Sequence, residues 1–108
     1  MILVDITVFK CRLCLDECTR FLESYAQELG LPFRIVEPHP GKPVVIITWS
    51  GTDPSLPSIL LYSHTDVVPV FREYWSYGPY SAHKNSHGDI YARGSQDMKC
   101  VGVQYVFA

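Results

Sequence analysis

Apolar residues recur along this chain first at helical and then at strand spacing. Between residues 16 and 29, Phe21, Leu22, Tyr25, Ala26 and Leu29 return every three or four positions, the repeat of one helical face. Asp16 or Thr19 can cap that helix, and Gly30 followed by Pro32 stops it. A short strand is predicted over residues 33–37, then a turn over 38–43, where three prolines and a glycine oppose a ladder. Residues 44–49 (VVIITW) and 59–62 (ILLY) read as buried strands, separated by the turn Gly51-Thr52-Asp53-Pro54. Residues 69–80 are aromatic and irregular. Residues 81–84 and 90–93 flank Asn85-Ser86-His87-Gly88 as a hairpin, and a second helix is predicted from Asp97 or Met98 to the end. Together these elements predict an α/β layer: a mixed or parallel, mostly buried sheet with flanking helices.

Composition narrows the picture. The 108 residues are 47% hydrophobic and 19% charged, which suits one domain at most. A net charge of -2 without a basic block argues against a nucleic-acid or membrane-surface role. The opening MILVDITVF is not a secretory signal, because Asp5 interrupts it and Lys10 and Arg12 follow rather than precede it. An intracellular protein with reduced thiols is predicted. Residues 101–108 (VGVQYVFA) are nearly all apolar, with no polar tail or glycine stop, so a piece of a longer chain is expected.

Titratable residues gather where the second buried strand should end, in Ser63-His64-Thr65-Asp66. Ligands in α/β sheets collect at the carboxyl ends of strands. Neutral imidazole is the commonest protein metal ligand, and its other ring N–H usually goes to a carboxylate or carbonyl. In extended backbone, residues i and i+2 point the same way, so His64 and Asp66 can supply both parts. On residues alone, a hydrogen-bonded loop histidine stays open as an alternative. Asp97, between Arg93-Gly94-Ser95-Gln96 and an apolar helix, suits an N-cap by position, worth about 1 kcal/mol, with one oxygen left over. Cys11, Cys14 and Cys18 have spacing a zinc module could use, but a structural site needs four ligands; on a helix they would line one apolar face with Phe21. Cys100 is isolated. His83 and His87 fall in an exposed hairpin, and Trp75 suits either a cleft lining or a loop anchor.

SILLYSHTDVVPVFREYW, then GPY, then GDIYARGSQDMK, resemble the N-terminal part of the zinc-dependent aminoacylase-1 enzymes, within the co-catalytic metallopeptidase family that includes carnosinase-type dipeptidases and desuccinylases. The likeness runs from about Thr19 to Phe107, and its blocks around His64 and Asp97 stand 33 residues apart. It implies that His64 binds one zinc ion, that Asp97 bridges two, and that Asp66 orients His64 and supports catalysis. Ser63 and the run from Tyr91 to Lys99 point to the aminoacylase branch. The implied reaction is hydrolysis of N-acyl-L-amino acids to a carboxylate and a free amino acid, in a cytoplasmic enzyme with two zinc ions per complete site and a homodimeric full-length chain. The implied general base, further ligands and lid/dimerisation domain fall beyond position 108. Residues 1–108 are therefore expected to be a partial, zinc-peptidase-like catalytic domain, inactive alone and without tight zinc binding. A dipeptidase or deacylase of the same family, or a non-catalytic interaction module, are the alternatives. MILVDITVFKCRLCL does not match the start that the resemblance implies. If the resemblance holds, His64 and Asp97 approach within roughly 3–4 Å, as ligands of one metal with bonds near 2 Å must.

Overall fold

The computed structural model describes residues 2–7 and 12–107, with side chains from residue 17 onward. The opening segment forms β1 (Ile2–Thr7), followed by helix α1 (Arg12–Glu28). Two longer strands, β2 (Phe33–His39) and β3 (Lys42–Trp49), lead to β4 (Ile59–His64). After a single 3-10 turn at Arg72–Tyr74 come the short strands β5 (His83–Lys84) and β6 (Ile90–Tyr91). A kinked turn at Ser95–Lys99 then starts helix α2 (Cys100–Phe107).

Strands β2, β3, β1 and β4 lie side by side in that order. The sheet is mixed: β1 runs parallel to β4 and antiparallel to β3, and β2 runs antiparallel to β3. The α/β architecture with flanking helices agrees with the sequence reading, and the helix period explains why. Cys18, Leu22 and Ala26 follow one another at four-residue steps and pack on Val45 and Ile47, the alternate residues of β3. Leu61 of β4 and Tyr105 and Val106 of α2 join the same cluster, so both helices cover one face. Tyr25 and Phe107 meet edge-on, ring centroids 5.2 Å apart, and link the helices directly. Burying Leu22, Val45 and Ile47 stabilises the fold by about 1.5–3 kcal/mol each.

Four expectations are corrected. Helix α1 begins at Arg12, ahead of both proposed caps; Thr19 lies inside the helix, with its hydroxyl buried and unpartnered. The expected turn over 38–43 contracts to Pro40 and Gly41, because Pro38 sits on an edge strand where the register slips and no ladder donor is lost. Gly41 takes φ 73 and donates its N–H to Glu37 Oε1 at 2.6 Å. Third, residues 59–62 are not a buried strand: β4 is an edge strand that continues to His64, with Ile59, Leu60 and Tyr62 exposed and Ser63 buried. Finally, Ile2–Thr7, for which the sequence reading offers no element, supplies an inner strand of the sheet. Within the 51–54 turn, Asp53 Oδ1 accepts from the Ser55 hydroxyl and N–H, which hold its carboxyl below the usual range.

Close approach of α2 to β4 depends on Gly102. A Cβ there would stand 2.8 Å from Ser63 Oγ, and Ser63 is buried. Gly102→Ala is expected to cost about 1–2 kcal/mol, overpacking outweighing the gain in helix propensity. In a Ser63→Ala background the same change should stabilise by roughly 0.5–1 kcal/mol, because only the propensity gain remains. Urea-unfolding midpoints of the four proteins read that change of sign; a cost that is the same in both backgrounds would show that Ser63 is not what Gly102 avoids.

Candidate metal centre

His64 is the last residue of β4, at the carboxyl end of a strand whose parallel neighbour β1 ends beside it, Thr7 facing His64. Ser63 faces the helices, so the alternation turns His64 away from them. The chain then leaves the sheet through Thr65-Asp66-Val67-Val68-Pro69. Asp66 folds back on the ring: its Oδ1 lies 3.2 Å and its main-chain carbonyl 3.1 Å from His64 Nδ1. Asp66, two residues downstream, is thus within reach of the ring.

Asp97 arrives on the kinked turn. Gly94 begins it in the left-handed region, φ 85, and the Lys99 N–H donates to the Gly94 carbonyl at 3.0 Å, closing the loop. Asp97 itself is extended, φ -112 and ψ 94, and the Asp97–Met98 peptide is cis. The helix-capping role that its position suggested is not the one it takes. Its Oδ1 stands 3.3 Å from His64 Nε2, and the side chain is 80% exposed. The separation falls inside the 3–4 Å expected of two ligands to one ion.

Three oxygens therefore converge on one imidazole. Both oxygens at Nδ1 are acceptors, so that nitrogen carries the proton. In a neutral ring Nε2 then presents a lone pair toward the Asp97 carboxylate, a repulsive arrangement. Either a second ring proton or a cation between Nε2 and Oδ1 resolves it. The donor chemistry fits a divalent cation: imidazole nitrogen fixed in one tautomer by a carboxylate, plus a carboxylate with a second oxygen to spare. Among the described residues no cluster of three or more His, Cys, Asp or Glu side chains is disposed as a complete metal site. His64 Nε2 and Asp97 Oδ1 offer two donors.

Other candidates part company. Cys11 and the Cys14 side chain lie outside the described residues; Cys18 packs on the core, and the Cys100 thiol donates to the Gln96 carbonyl at 3.1 Å. His83 stacks on Tyr77, centroids 3.8 Å apart, within the hairpin that β5 and β6 form as expected. Trp75 acts as an anchor: the Arg93 guanidinium lies 5.3 Å from its ring, while the Arg93 N–H bonds the Pro79 carbonyl. Gly94 and Lys99 stand in the Tyr91–Lys99 run, but no local pattern assigns either a role at the site: the contact of Lys99 with Thr65 spans 34 residues.

Comparison with known proteins adds an independent line. Residues 60–108 match the model of peptidase family M20/M25/M40. The chain is 59% identical over 88 residues to aminoacylase-1 of Homo sapiens, covering 82% of this chain and 22% of that protein. It is 58% identical over 88 residues to aminoacylase-1B of Rattus norvegicus, with the same shares covered. Aminoacylase-1 of Dictyostelium discoideum is 40% identical over 91 residues, 84% of this chain and 22% of its own. The chain thus spans about a fifth of the length of these curated relatives.

Proposed function

From a chain whose residues 60–108 match peptidase family M20/M25/M40 and which resembles aminoacylase-1, we propose that it is part of a zinc-dependent amidohydrolase acting on N-acyl-L-amino acids. The observation that carries the reading is the carboxylate–imidazole–carboxylate line Asp66–His64–Asp97, at 3.2 and 3.3 Å. Residues 1–108 would be a partial catalytic domain, joined in the whole enzyme by further ligands, a general base and a lid domain that pairs two subunits. The resemblance to aminoacylase-1 supports a cytoplasmic setting. Separately, no helix among the described residues is long and apolar enough to cross a membrane.

His64 Nε2 and Asp97 Oδ1 would hold the cation, and the second Asp97 oxygen is free for another. Bound zinc supplies Lewis-acid polarisation of an amide carbonyl and a water acidic enough to attack near neutral pH. Asp66 would keep the Nδ1 proton in place, so the lone pair of the ring stays on Nε2, toward the cation. Two protein donors fall short of the three plus water that a catalytic zinc site uses, and a missing general base forfeits a further ~10²–10⁴-fold in rate.

Hydrolysis of N-acetyl-L-methionine with added zinc tests this in two proteins. The 108-residue chain alone is expected to be silent. Human aminoacylase-1 carrying this chain's residues in the 88-residue aligned stretch is expected to turn over. Robust turnover by the short chain alone, or a well-folded but inactive chimera, would contradict the proposal. A dipeptidase of the same family would instead cleave unblocked dipeptides in the chimera's place.

A further inference from the structure

The two loops that meet at the candidate centre are far apart in sequence, and one side chain joins them. Lys99 Nζ donates to the main-chain carbonyl of Thr65, the residue between His64 and Asp66. Lys99 also closes the other loop, its N–H on the Gly94 carbonyl at 3.0 Å, with Asp97 held inside the closed turn. Its stem lies along Gly94: a Cβ built there would come within 3.2 Å of Lys99 Cε. One residue therefore shapes the turn that presents Asp97 and fastens it to the turn that presents His64.

We propose that Lys99 is a positioning residue for the metal centre, setting the His64–Asp97 separation through its bond to the Thr65 carbonyl. This rests on the reading of His64 and Asp97 as ligands of one cation. The physical case is that the sheet alone does not determine where Asp97 sits. Asp97 is 80% exposed and extended, on a segment outside the strand ladders, so its place depends on what ties that segment down. A charge-assisted bond from an ammonium to a carbonyl is stronger than a neutral one, and here it spans 34 residues of sequence. The ammonium also brings positive charge beside the turn that carries the Asp66 carboxylate.

The test compares wild type, Lys99→Met and Lys99→Arg in the 108-residue chain by NMR. Lys99→Met keeps the stem and removes the donor; Lys99→Arg keeps a donor. The first readout needs no metal: backbone order parameters at Thr65, Asp66 and Val67. Lys99→Met should lower these from the rigid range near ~0.85 toward the flexible range below ~0.6, and Lys99→Arg should hold them. A zinc titration followed at the His64 ring is the second readout. Lys99→Met should weaken zinc roughly tenfold, the low end of the ~10–100-fold that removing a group orienting a ligand costs, with Lys99→Arg within threefold of wild type. Should Lys99→Met lose its dispersed spectrum, Lys99→Gln, with a shorter neutral donor, takes its place and must show the same two losses. Unchanged mobility, or equal losses in the Met and Arg variants, overturns the inference. Loosened loops in a chain whose wild-type His64 ignores even a large excess of zinc, enough to fill a weak two-donor site, would uphold the fastening by Lys99 and overturn its role at a metal, and with that the reading on which it rests.

Discussion

Gly94→Ala is expected to destabilise the fold by about 2–5 kcal/mol, from two independent costs. Gly94 takes φ 85, a left-handed conformation that costs a residue with a side chain roughly 1–2 kcal/mol. It is also buried, and a Cβ there would come 2.6 Å from Val67 Cγ1, adding overpacking of about 1–3 kcal/mol. Small domains hold only about 5–15 kcal/mol in total, so a large share of the stability would go. The two costs can be separated. In a Val67→Ala background the steric share should disappear and the conformational share remain, leaving a Gly94→Ala penalty near 1–2 kcal/mol. Urea unfolding of the four proteins gives both numbers; a Gly94→Ala cost below about 0.5 kcal/mol, the size of an ordinary surface change, would contradict this view of the site. The consequence reaches function, because Gly94 lets the Asp97 turn lie against the loop that follows His64.

The second large effect concerns chemistry. In the aminoacylase chimera, His64→Ala and Asp97→Asn should each lower kcat/KM by more than the ~10–100-fold typical of losing an orienting partner, whereas Asp66→Asn should stay within that range. The ordering follows from the geometry. His64 Nε2 and Asp97 Oδ1 face each other across 3.3 Å, and their loss removes donors outright. Asp66 touches only the far nitrogen, and an asparagine carbonyl can still accept the Nδ1 proton. Equal losses at all three positions, or a tolerant Asp97→Asn, would contradict the assignment of roles.

Much of the fold could be read from the chain because its apolar rhythm is local. The repeat Leu22, Tyr25, Ala26 marks a helix wherever it packs, and VVIITW marks a strand. The limits were equally physical. Edge and centre cannot be told apart from ILLY alone: Leu60 and Tyr62 are apolar and yet exposed, because which neighbours a strand acquires is a non-local matter. Pro38 was read as a breaker although an edge strand accommodates it. Thr19 looked like a cap because Ser and Thr cap many helices, yet the helix had already begun four residues before Asp16. At the site, the closeness of His64 and Asp66 was legible because they stand only two residues apart, although the chain past β4 folds back to make the contact. The approach of Asp97 was legible only through the family resemblance. Its helix-cap reading was the better local guess, and the contact across 33 residues is made by a turn that Gly94 and Lys99 shape.

The central claim is that His64 Nε2 and Asp97 Oδ1 share a cation rather than a proton. Ring 15N spectra of the 108-residue chain, recorded at neutral pH without zinc and with a large excess of it, enough to fill a weak two-donor site, test it most directly. The account predicts that zinc moves the His64 Nε2 resonance to a metal-bound position, leaves Nδ1 protonated against Asp66, and has no such effect in Asp97→Asn. A His64 ring that carries protons on both nitrogens and stays unchanged as zinc is added would contradict it.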